Sequence, residues 1–161
     1  MTRRINAIRR PPAASADASI AAAALAALLL LAGASAALAA SADLTVEQPW
    51  MRFIIKSRPA AGYFTLHNNG GAAVQLTGAA SSACGMLMLH QSKEVNGVEK
   101  MLPVKSVTVP AHGVIAFAPG GYHLMCMQPK AAMQVGASVP VTLTFAGGAK
   151  VSAQFPVKGA K

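Results

Sequence analysis

The sequence predicts an all-β domain, a sandwich or small barrel, behind a hydrophobic leader. Three observations carry this. No helical period persists after residue 43. Ten short β-rich runs alternate with turn signals through the rest of the chain. The apolar excess, 53% hydrophobic against 12% charged residues, is concentrated at the start, where 28 of the first 42 residues are apolar.

The leader comes first. Arg3, Arg4, Arg9 and Arg10 precede an unbroken apolar run of thirteen residues from Ile20 to Ala32. Small residues follow from Gly33 to Ala42, broken only by Leu38. A basic n-region, an apolar h-region and a small-residue cleavage site make a secretory signal peptide. Ala37-Leu38-Ala39 fits the cleavage rule, which divides the chain into a signal peptide, 1–39, and a domain, 40–161. The run is short of the ~20 residues that a membrane-spanning helix needs, so no stable membrane insertion is expected after cleavage. No cysteine stands among the first 83 residues, so a lipid on a cysteine beside the cleavage site is not expected.

The predicted strands are Leu44–Val46, Tyr63–His67, Ala73–Leu76, Met86–His90, Val98–Leu102, Ser106–Val109, Val114–Phe117, Tyr122–Met127, Val139–Phe145 and Val151–Val157. Asn68-Asn69-Gly70-Gly71, Asn96-Gly97, His112-Gly113, Pro119-Gly120-Gly121 and Gly147-Gly148 separate them. Such residues supply the positive φ angles of tight turns. Val141 to Phe145 alternates apolar and polar, the mark of a half-buried strand. Pro140 places the start of that strand at an edge or an opening. Closely spaced short strands argue for a sandwich or barrel.

Composition excludes several functions. The domain keeps ten basic and four acidic residues, a net charge of +6. No basic cluster with interleaved aromatics accompanies that charge, so no nucleic-acid partner is expected. With four acidic residues and no acid/base pair, nucleophile triad or phosphate loop, the chain is not expected to be an enzyme.

The domain holds four histidines and seven methionines, several of them close together. His90 and Met101 have ten residues between them, Met101 and His123 twenty-one, His123 and Met125 one. A two-residue turn at Asn96-Gly97 would pair Val95 with Val98 and Ser92 with Met101. His90 then lies diagonal to Met101 on the same face, about 7–8 Å away at Cα. His123 and Met125 share a face of their own strand. Thioether sulfur is soft and neutral and selects Cu(I), and imidazole suits copper in either state. No carboxylate is among the four, which argues against calcium, magnesium and manganese. Zinc is normally held by Cys, His or Asp/Glu.

These four residues carry a resemblance. Their order and spacing match the signature of the PCuAC family of periplasmic copper chaperones. Pro49-Trp50-Met51-Arg52, Ala61-Gly62-Tyr63-Phe64 with Asn68, and Pro119-Gly120-Gly121-Tyr122-His123-Leu124-Met125 are similar as well. The resemblance covers essentially the whole domain after the leader. It implies a cupredoxin-like Greek-key β-sandwich or barrel in the periplasm. It implies Cu(I) held by His90, Met101, His123 and Met125. It further implies copper delivery toward the binuclear copper centre of cytochrome c oxidase, with a copper-accepting oxidase subunit or another periplasmic copper carrier as partner. A periplasmic copper buffer or tolerance protein without a dedicated acceptor is the alternative. The His/Met-rich C-terminal tail of some members is missing here, which makes a second, Cu(II) site doubtful.

The remaining candidates read more plainly. His67 and His112 are expected as turn or core residues rather than ligands, and Met51 and Met133 as core filler. Met86 and Met88 share strand parity with His90, and Met127 with Met125, which makes them candidates to line the site or supply a spare thioether, with core filler as the plainer reading. Cys84 and Cys126 are the two cysteines of an exported chain, which favours a disulfide between them. The rival role, a thiol at the copper site, conflicts with Cys126, whose parity is opposite to that of His123 and Met125.

Overall fold

The computed structural model describes residues 43–160. The expected signal peptide lies outside them. Among the described residues the secondary structure is ten strands and one short 3-10 turn. They are β1 (Leu44–Arg52), β2 (Ala60–Asn68), β3 (Val74–Ala80), β4 (Cys84–Val95), β5 (Val98–Pro103), β6 (Val107–Val109), β7 (Val114–Phe117), β8 (Tyr122–Pro129), β9 (Ser138–Phe145) and β10 (Lys150–Lys158). The all-β expectation holds, and each predicted run lies within or across one strand.

The strands form one array in the order β5-β4-β8-β7-β2-β1-β10-β9-β3-β6. β1 and β10 run parallel at Met51–Val157 and join a sheet of β1, β2, β4, β5, β7 and β8 to one of β3, β6, β9 and β10. Their inward residues make a single core, with Met51, Leu66, Leu76, Leu124, Met133, Val141, Leu143 and Phe155 fully buried. Phe64 stacks on Phe117 at 4.3 Å between centroids and meets Phe155 edge-on at 5.8 Å. Fully burying a side chain of this size stabilises by roughly 1.5–3 kcal/mol. Met51 and Met133 are core residues, as their sequence context suggests.

β1 is longer than its apolar alternation indicates, and the reason is a bulge. The pairing with β2 slips by one residue between Glu47 and Trp50, where Gln48 takes φ 48° and Pro49 has no N–H to donate. One extra residue exchanges the two faces of a strand. It sends Met51 into the core and leaves Trp50 and Arg52 on the opposite face. Pro140 sits two residues beyond Thr142, the last β9 residue paired with β3, so its missing N–H costs no ladder bond there.

Asn68 closes the end of β2. Buried to 2% exposure, it donates from Nδ2 to the carbonyls of Ala72 and Pro110, both at 2.8 Å. Its Oδ1 accepts the N–H of Gly70 at 3.1 Å. The side chain thus ties two turns together and satisfies groups that would be costly to leave unpaired. His67 lies on β2 with Nε2 3.2 Å from Glu47 Oε2, and His112 occupies a turn at φ 52°. Neither joins the candidate site.

A disulfide links Cys84 to Cys126, with Cα atoms 5.4 Å apart and 42 residues of separation. It ties the start of β4 to the middle of β8, the two strands that carry the histidine pair.

Candidate metal centre

The site begins with the β4–β5 hairpin. Asn96 and Gly97 take φ 54° and 76°, and Val95 pairs with Val98, as a two-residue turn requires. Ser92 faces Met101 and His90 faces Pro103. His90 is therefore diagonal to Met101, as the spacing predicts. β8 lies along the other edge of β4, and there His90 is paired directly with His123.

β2 shares one edge between two strands. It pairs with β8 through Ala60–Gly62 and with β7 through Phe64–His67. The chain passes from β7 to β8 through Pro119-Gly120-Gly121, closed by a bond from Gly121 N to Ala118 O at 3.0 Å. This turn ends two residues before His123. Gly62 fixes how closely β2 approaches the strands beside it. A Cβ there would lie 2.8 Å from Met51 Sδ and 3.1 Å from Leu124 Cβ.

The two imidazoles are buried, at 6% exposure for His90 and 3% for His123, with ring centroids 5.9 Å apart. His123 Nδ1 donates to the Gly121 carbonyl at 3.1 Å. That bond leaves Nε2 as the lone-pair nitrogen. His123 Nε2 and His90 Nδ1 are both buried without a hydrogen-bond partner among the described residues. Burial lowers the His90 pKa from its ordinary value, and the neighbouring His123 lowers it further, while the Met88 carbonyl acts the other way. The His90 ring is therefore neutral at neutral pH and able to donate a lone pair to a metal.

A cleft of about 490 Å³ opens beside the pair. Met101, His123 and Met125 line it together with Tyr63, Arg52, Arg58, Glu99 and the Pro119-Gly120 turn. Met101 is 56% exposed and Met125 half-buried. Three of the four candidate residues thus border one cleft, and the fourth, His90, is paired with His123 at its edge. Among the described residues no three His, Cys, Asp or Glu side chains converge as a metal site. Cys126 is fully buried and bonded to Cys84, so neither sulfur is a free thiol.

Some cleft residues have no sequence signal as site residues. Arg58 and Glu99 are brought there by the fold alone. Tyr63 connects the histidines to Trp50, with centroids 6.4 Å from His123 and 4.8 Å from Trp50. Lys158 Nζ lies 5.3 Å above the Trp50 ring.

Residues 44–157 match the LpqE-like family, a lipoprotein family by its description. A protein of Leifsonia xyli subsp. xyli named as a lipoprotein, Lxx21020, is 35% identical over 114 residues, covering 70% of this chain and 68% of its own. An uncharacterized protein of Rickettsia prowazekii, RP573, is 32% identical over 67% of this chain, which spans only 62% of that relative. Among solved structures, the apo PCuAC domain from PmoF1 superposes with a TM-score of 0.61 and 25% identity, over 73% of this chain and 95% of that one. The Cu(I) form of DR1885 from Deinococcus radiodurans gives 0.50 and 29% identity, over 71% and 74%.

Proposed function

This chain belongs to the LpqE-like family, which is of the PCuAC type, and from that premise and the site geometry we propose that it is an exported Cu(I) chaperone. His90, Met101, His123 and Met125 are its ligands. The observation that supports this most is the direct pairing of two buried imidazoles on adjacent strands, His123 with its Nε2 buried and unpartnered among the described residues. A buried nitrogen without a partner costs roughly 1–3 kcal/mol. Coordination of a metal removes that cost. The Cu(I) form of DR1885 supports Cu(I) as the ion.

The donors suit an ion that must be carried and released. Two imidazoles and two thioethers are neutral donors, matched to a soft monovalent cation. The His123 ring is held in one tautomer by the Gly121 carbonyl. Met101, more than half exposed, is the ligand that a partner can displace first. The neighbouring cleft gives that partner's own ligands room to approach, so exchange proceeds one bond at a time. The signal peptide at 1–39 delivers the domain, 40–161, to the periplasm. Copper passes from there toward the binuclear copper centre of cytochrome c oxidase.

Delivery is tested by mixing the Cu(I)-loaded protein anaerobically with an apo oxidase copper domain. Transfer faster than dilution into a small-molecule chelator of equal affinity is expected. Copper released no faster than to the chelator would instead mark a periplasmic buffer without a dedicated acceptor.

A further inference from the structure

The outer face of β4 and β8 continues past the histidine rung. Met88 is paired with Met125, and Met86 with Met127. The intervening Leu87, Leu89, Leu124 and Cys126 point the other way and are buried in the core. Strand alternation therefore sends four thioethers outward, in two consecutive rungs beside His90 and His123. Directly opposite residues hold their Cβ atoms about 4.5–5.5 Å apart. Methionine is unbranched and flexible, so the four sulfurs have the reach to close on one ion. Met86 is 57% exposed, and Met88 and Met127 are half-buried. The core does not account for their presence.

The methionine ladder has a defined end. Pairing skips Gly85 and Gln128, and Gln128 takes φ 52°. A Cβ at residue 85 would lie 2.6 Å from Gln128 Oε1. The regular face therefore consists of three rungs, one of histidine and two of methionine.

We propose that Met86, Met88 and Met127, sharing Met125 with the histidine centre, form a second site for a soft monovalent ion, Cu(I) or Ag(I). It rests on the Cu(I) reading only in taking copper as the physiological occupant. All its donors are neutral thioethers, so it holds the ion more weakly than a site that also has two imidazoles, and it does not hold Zn(II) or Ca(II). Because Met125 belongs to both sites, an ion can move between them without losing all its protein ligands. The ladder is a short path between the buried histidines and the exposed Met86.

The test is NMR of the methionine εCH3 groups and the histidine rings of the protein produced from the full chain, titrated with Ag(I), which is not oxidised by air. The first equivalent is expected to shift the Met101 and Met125 methyls and the His123 ring. A second, weaker equivalent is expected to shift Met86, Met88 and Met127. In the Met86→Leu/Met127→Leu variant, close to the original volume, the second equivalent disappears and the first is unchanged. Zn(II) should move none of these methyls. Met86 and Met127 methyls that stay unmoved at excess Ag(I) would overturn the proposal and leave the face as an apolar docking patch. Failure of the histidine centre looks different: the His123 ring then stays unmoved while the ladder methyls respond.

Discussion

His90 and His123 face each other at the middle of the site, and the burial of His90 gives the site a dependence on pH. The folded-state pKa of His90 is lowered from 6.5 by burial and by His123. The folded protein therefore binds fewer protons than the unfolded chain as pH falls through 6.5. This contribution to stability is present above that value and is lost as pH falls toward the lowered folded pKa. Between about pH 7.5 and about pH 5.5 the denaturation midpoint of the metal-free protein should drop more than that of a His90→Gln variant. Equal drops would contradict the burial argument. Cu(I) affinity should weaken only as pH falls through the lowered folded-state pKa of His90, where a proton competes for its ring nitrogen. The candidate ligands were legible at this scale, since spacing and strand parity are properties of sequence. The tautomer of His123 was not: it depends on the Gly121 carbonyl, whose direction only the folded turn defines.

At the level of elements, the Asn96-Gly97 turn fixes the register that sets Met101 diagonal to His90. That register was readable because a two-residue turn leaves little freedom. The bulge at Gln48 was less readable. Nothing local in Glu47-Gln48-Pro49 states that the chain continues as one strand with its faces exchanged, yet this places Trp50 and Arg52 on the site face. The adjacency of β4 and β8 was likewise open, because long-range strand order depends on the packing of the whole core. The disulfide now reinforces that adjacency. Closing a loop of 42 residues stabilises by about 4 kcal/mol in the chain-entropy picture. The Cys84→Ala/Cys126→Ala variant should lose stability of that order in urea. A loss below about 1 kcal/mol would show that the core alone holds β4 against β8.

Over the whole molecule, the site stands on sheet rather than on long loops. Its four candidate ligands come from three neighbouring strands, and the adjoining cleft is bordered by a tight turn. Such a scaffold would hold the proposed donors in place before an ion arrives. The all-β class and the strand list followed from turn chemistry and periodicity. The cleft with Arg58 and Glu99 did not, because residues far apart in sequence meet there only through the array of ten strands.

The central claim is that two imidazoles and two thioethers hold one Cu(I) tightly. An anaerobic Cu(I) titration against a chromophoric competitor tests it most directly, with wild type, Met101→Ala and His123→Ala side by side. The expected result is one tight equivalent in the wild type, its affinity lowered tenfold or more, about 1.4 kcal/mol, in each variant. Wild-type affinity retained in both variants would contradict the site.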